Sequence, residues 1–275
     1  MSSESVDAIV AEALRGLDDE SAARRHALRT LFLKECRRFG KVWMQTVFSP
    51  LVTTSLYFLV FGVALGSRLR EIDGVPYIDF VVPGLVMLAI ISNSFLNASS
   101  SLFQSKINGT IVDLLVAPIG AREMLMAYLG ASLLRGLIVG SLVYLVAGIF
   151  GGFEMAHPGW VAFFACGVSL SFGCLGLISA LWAEKFDHLS IVPNFVLTPL
   201  TFLGGVFYSV SMLPAPWDFV SRLNPILYMV NGLRYGLLGV TDVPVLHAAA
   251  FVGGLLVLLL FVAGTLLGRG WNLRS

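Results

Sequence analysis

Apolar residues gather into six runs separated by short polar turns, each long enough to cross a hydrocarbon core, which takes roughly 20 helical residues. We place them at Thr46 to Gly66, Ile78 to Ser101, Met124 to Phe150, Trp160 to Ala183, Leu189 to Tyr208 and Val245 to Gly268. Pro50 stands in the opening turn of the first, where a missing N–H costs least. The pattern predicts an all-α integral membrane protein with six transmembrane helices. The stretch from Leu102 to Glu123, with Lys106, Asp113, Pro118 and Arg122, is too polar to span and reads as a separate short helical segment.

Ahead of the first run, residues 1–23 are polar and acidic and read as a flexible tail or a short helix. From Arg24 the pattern changes. Leu28, Leu31, Phe32, Cys36, Phe39, Val42 and Trp43 recur at helical spacing, and Arg25, Arg29, Lys34, Arg37, Arg38 and Lys41 fill much of the remaining surface. Residues 24–45 therefore read as an amphipathic helix lying in the membrane interface, its basic side toward headgroups or a partner. A simple topogenic charge cluster is the plainer reading. Residues 46–275 form the six-span domain.

Composition agrees: 57% of the 275 residues are hydrophobic and 13% charged, against about 25% charged in an ordinary soluble domain. A water-soluble fold of this length has no place to hide so many apolar helices. Cys36, Cys166 and Cys174 have no metal-ligand spacing, so no metal site is expected, and they read as small packing residues. The sequence contains no G-x-x-x-x-G-K-[ST] phosphate loop, so it binds no ATP by that device. The four histidines, His26, His157, His188 and His247, lie outside the span interiors, which disfavours an intramembrane hydrolase.

Charge distribution sets the orientation. Arg15, Arg24, Arg25, Arg29, Lys34, Arg37, Arg38 and Lys41 precede the first span, and Lys106, Arg122, Lys185, Arg269 and Arg274 fall on the same side. Arg68, Arg70, Arg222 and Arg234 fall on the other. The excess predicts both termini in the cytoplasm.

Two segments between the spans look functional. Ile111 to Ile119 combines apolar knobs with Asp113 and is closed by Pro118, as a helix that docks into a groove on a soluble partner would be; an ordinary loop turn is the alternative. Before the last span, Trp217, Phe219, Val220, Leu223, Ile226, Leu227 and Tyr228 are too apolar for a solvated loop and are broken by Pro214, Pro216 and Pro225. Irregular backbone at membrane depth survives only under protein or in a water-filled cavity. A re-entrant helix pair turning at Asn224-Pro225 satisfies that requirement, and an outer loop with belt aromatics is the plainer form.

Within the spans, Arg135 either lines a pathway or interface, or snorkels to the nearer surface. Asn93 and Asn97, with Ser99 to Ser101, either line a polar route or bond to neighbouring helices. Asn194, Thr198 and Thr201 fall at near-helical spacing and so are expected on one face, in a span kinked by Pro193 and Pro199.

Pro83-Gly84-Leu85, Asp113 to Ile119, Thr198 to Tyr208, Asn224 to Tyr228 and Gly232 to Gly236 together resemble the permeases of ABC-2-type transporters, in the branch with lipo-oligosaccharide and nodulation-factor exporters. The resemblance implies a homodimer with two separate ATPase subunits, which carry the ATP and Mg while this chain binds no cofactor. It implies ATPase contacts at the interfacial helix (Phe32, Glu35, Arg38) and at the segment with Asp113, Leu114, Leu115, Pro118 and Arg122. It also implies an external cap at Asn224, Pro225, Tyr228 and Arg234, membrane lipids as partners, no nucleic acid, and a bacterial inner-membrane location. A secondary transporter would show internal repeats or midplane ionisable residues. A non-transporting scaffold would fail to stimulate any ATPase.

Overall fold

The computed structural model describes residues 3–60, 71–72, 74–150 and 152–272. It is mostly helical, with α1 Ser3–Lys41, α2 Ser49–Tyr57, α3 Tyr77–Ile107, α4 Ile111–Val116, α5 Ala121–Phe150 and α6 Pro158–Trp182. These are followed by α7 Phe186–Ile191, α8 Thr198–Phe202, α9 Trp217–Arg222, α10 Pro225–Leu238 and α11 Val245–Gly268. Two two-residue strands, β1 (Glu71–Ile72) and β2 (Val75–Pro76), pair antiparallel just before α3. The end of the expected first span, with Arg68 and Arg70 beyond it, lies outside the described residues.

Among the described residues four helices, α3, α5, α6 and α11, are long and apolar enough to cross a membrane. The described part of the first expected span is irregular, and the fifth is irregular and shorter. Met44–Phe48 is a π-helical turn running into α2, and an apolar helix continues to Val60. Val192–Leu197 is a π-helical stretch joining α7 to α8. The prolines explain the second case: Pro193 and Pro199 each remove a backbone donor and crowd the preceding turn, so the i→i−4 ladder cannot run through. Thr198 Oγ1 donates to the Pro193 carbonyl at 2.9 Å and satisfies one acceptor left over. The wider turn also shifts the register. Asn194 and Thr198 are exposed and Thr201 is buried, so the three do not share the face that simple helical spacing predicts.

The backbone shows no boundary at Arg24, because α1 is helical from Ser3 onward. Its C-terminal half packs on α5, where Phe32 lies over Gly130. The core centres on α3, which is enclosed by α5, α6 and α10. By contrast, α11 presents Leu246, Val257, Leu258 and Phe261 outward, a surface suited to lipid. Small residues permit the close approaches: a Cβ on Gly84 would lie 2.7 Å from the Val206 carbonyl oxygen.

At the end of the bundle that carries α4, Gly109 (φ 72°) turns the chain out of α3. Nearby, Lys106 Nζ donates to the carbonyls of Ala180, Leu181 and Ala183 at 3.0–3.1 Å. The ammonium thereby caps the last turn of α6, where orphan carbonyls and the helix dipole favour a cation. Lys106→Met is expected to lower stability by about 1–2 kcal/mol, as three carbonyls lose their donor. Thermal unfolding of the detergent-purified chain measures this.

Candidate functional site

Three arrangements merit attention. The first is a polar seam where α1 meets α3 and α5. Glu35 is fully buried; it accepts a short hydrogen bond from Ser101 Oγ and pairs with Arg38 at 3.1 Å. Arg38 reaches on to the Asn97 backbone carbonyl (2.9 Å), Asn97 Oδ1 (3.0 Å) and Ser100 Oγ (3.3 Å). Asn97 Nδ2 passes the network to Ser132 Oγ on α5. One layer along, the hydroxyls of Ser94 and Ser169 meet at 2.7 Å beside Gly136, which joins α3, α5 and α6. Burial and the Glu35 carboxylate push the neighbouring Cys36 thiol up, so it is no reactive thiolate.

This seam shows what sequence spacing missed. Phe32, Glu35 and Arg38 are placed on one helix by periodicity, yet Glu35 and Arg38 turn into the chain's own core and Phe32 packs on α5. Glu35 presents no surface to an outside protein. The serine run after Asn97 was the available signal, because buried hydroxyls need partners and a charged helix lay alongside to supply them.

The second is α4. Ile111 anchors it in the core at 4% exposure, while Val112, Leu115 and Val116 point outward at 57%, 39% and 81%. Asp113 is exposed, Leu114 is half-buried, Pro118 lies in the extended link to α5 and Arg122 stands in the first turn of α5. Apolar side chains this exposed on a six-residue helix form a knob with no cover from the described residues.

The third is the pair α9 and α10. Asn224 caps α10 through the Ile226 N–H (2.9 Å), and its side-chain amide donates to the Leu200 carbonyl. Pro225 borders an apolar cavity of about 190 Å³ with Ser171 of α6 and Leu255 and Leu259 of α11. Those residues lie midway along their helices, so the Asn224–Pro225 turn sits deep beside the bundle. Tyr228 donates to the Arg222 carbonyl and stacks on Phe251, 4.8 Å between centroids. Trp217 and Phe219 on α9, and Leu223 just after it, stay exposed.

Arg234 is not a surface charge. It is fully buried, with its guanidinium 3.8 Å over the Phe80 ring, Nη2 donating to the Gly205 carbonyl at 2.7 Å and Nη1 3.7 Å from Asp242. Asp242 accepts from Ser209 Oγ and the Val210 N–H. Asn231 Oδ1 accepts from the Asp242 N–H. This cluster locks α10 to the loops on either side of it.

Arg135 is 6% exposed at the middle of α5. Asn93 donates to the Ala89 carbonyl and, with Ser49, Thr53 and Thr54 of α2, borders a half-polar cavity of about 250 Å³. Among the described residues no group of three or more His, Cys, Asp or Glu side chains is placed to hold a metal.

The family model for ABC-2 type transporters matches residues 26–238. The inner membrane transport permease YadH of Escherichia coli strain K12 is 41% identical over 249 residues, 90% of this chain and 97% of the relative. The chain belongs to the ABC-2 type transporter family. More distant relatives include nodulation protein J of Rhizobium meliloti strain 1021, 23% identical over 78% of this chain and 81% of its own length. Nodulation protein J of Sinorhizobium fredii is 27% identical over 67% of this chain and 70% of its own. The match to YadH and the four apolar helices mark a multi-pass inner-membrane protein with the character of a transport permease.

Proposed function

We propose that the chain is the permease subunit of an ATP-driven exporter, working as a homodimer with two copies of a separate ATPase that binds the ATP and Mg. It crosses the membrane six times with both termini in the cytoplasm. The two irregular helices, residues 44–60 and 186–202, supply the remaining crossings. At ~1.5 Å per residue the second of these reaches about 26 Å, near the lower limit for a span. The α9–α10 pair is re-entrant from outside. The cargo is an amphipathic molecule such as a lipid or lipid-linked oligosaccharide, in keeping with the kinship to nodulation protein J.

The observation that carries this reading is α4, whose exposed Val112, Leu115 and Val116 surround Asp113 on the side that the basic residues mark as cytoplasmic. An apolar knob projecting from the protein into water fits a groove on a soluble partner. Alternating access follows if that partner pushes on α4 and α5 and so shifts α3 against α1.

Affinity purification from native membranes in mild detergent is expected to recover a stoichiometric soluble protein bearing a phosphate loop. Leu115→Glu with Val116→Glu should cut that recovery about tenfold, since burying one such side chain is worth about 1.5–3 kcal/mol. Recovery of the chain alone would leave a secondary transporter or a scaffold as the better description. Full recovery with the double variant would remove α4 from the docking surface.

A further inference from the structure

Arg135 stands at the midpoint of the thirty-residue α5, about 20 Å from either end at ~1.5 Å per residue. The residue is 6% exposed, and among the described residues Nε has no hydrogen-bond partner. Snorkelling does not account for it, because a snorkelling arginine carries its guanidinium out to the water. Among the described residues no acidic side chain forms an ion pair with it, so its positive charge stands uncompensated there.

A second orphan stands on an element packed against α5. Thr46, on that π-helical turn, is 3% exposed and its hydroxyl has no partner among the described residues. An unpaired cation at this depth is costly and normally faces a partner or a cavity. A second copy of the chain offers nothing to offset it at this level: along α3, α5, α6 and α11 the acidic residues are Asp79 and Glu123, each in the first turn of its helix.

We infer that Arg135, buried at the midpoint of α5 one turn past Ser132, which bonds Asn97 of the polar seam, is the binding site for a phosphate-bearing anion, and that the anion is the headgroup of the amphiphile the chain carries. The assignment to cargo rests on the export reading; the anion site does not. A guanidinium presents paired donors that match a phosphate in two-pronged fashion, and in a dry layer such bonds are at their strongest. The bound anion would neutralise the layer.

The test is native mass spectrometry of the full chain in delipidating detergent, titrated with phosphatidylglycerol, with phosphatidylcholine and with inorganic phosphate. The wild type should retain one tightly held phosphatidylglycerol per chain, while phosphatidylcholine, whose choline cancels the charge, binds more weakly. Arg135→Gln should weaken that one site about tenfold or more, and Arg135→Lys should restore part of it. Displacement of the lipid by inorganic phosphate also supports the anion site and assigns it to the oxyanion rather than to the whole lipid. Should Arg135→Gln fail to fold, the comparison of Arg135→Lys with wild type carries the test, because lysine keeps the charge but loses the fork. Equal lipid retention by wild type, Lys and Gln forms overturns the proposal, as does loss of self-association in the variants with lipid binding unchanged. A chain that holds the lipid yet recovers no ATPase keeps the anion site and loses only its assignment to exported cargo.

Discussion

Arg234→Met is expected to destabilise the chain by about 3–5 kcal/mol, the usual cost of removing one member of a buried charged pair. Asp242 would be left buried at 8% side-chain exposure with only Ser209 and Val210 to answer it. The Gly205 carbonyl and the face of Phe80 would lose their donor and cation together. Because these groups tie α10 to residues 205–210 and 241–243, the damage should show as loosening of the whole α9–α10 unit. Limited proteolysis and thermal unfolding in detergent both report it. The double variant Arg234→Met with Asp242→Leu should recover most of the loss, since no charge is then stranded. A single variant as stable as wild type would mean that Phe80 packing alone holds this end.

Gly176→Leu is expected to cost about 3 kcal/mol, at the upper end for an overpacked core site. A Cβ at Gly176 would stand 2.5 Å from the Phe95 carbonyl oxygen and 3.1 Å from the Ser99 nitrogen. Both are backbone atoms of α3, so no side-chain rotation makes room. α6 must move away from α3, and the Ser94–Ser169 hydroxyl contact would part. The effect should exceed a simple loss of stability, because α3 also carries the Asn97 and Ser101 links to α1. Gly254→Ala is the control: nothing lies within 4 Å of a Cβ there, and the helix gains about 0.5–1 kcal/mol. Equal behaviour of the two variants would show that α3 and α6 are not in rigid backbone contact.

Four of the expected crossings coincide with helices long and apolar enough to cross a membrane, to within six residues at their ends. Asn224-Pro225 was legible as a turn between two short helices, because proline breaks the preceding helix; that Asn224 caps α10 came from the structure. The short helix at Ile111–Val116 was legible for the same kind of reason: an apolar spacing closed by proline is decided within one turn. The common face for Asn194, Thr198 and Thr201 failed because it assumed an unbroken 3.6-residue period. Two prolines widen the helix between them, and the offset accumulates along it.

Side-chain partners across helices were the least legible. Glu35 and Arg234 look like surface charges in a linear reading, and both are fully buried. Their partners, Ser101 at 66 positions away and Gly205 at 29, are selected by which helices lie together. Hydropathy and charge asymmetry by themselves determined the solvent, the helical class and the candidate docking segments, because transfer from water to hydrocarbon is a property summed over local sequence. Tertiary structure alone decided which buried polar groups are satisfied and which, like Arg135, are left waiting for a partner, because a hydrogen bond depends on the distance between atoms that the chain order does not specify.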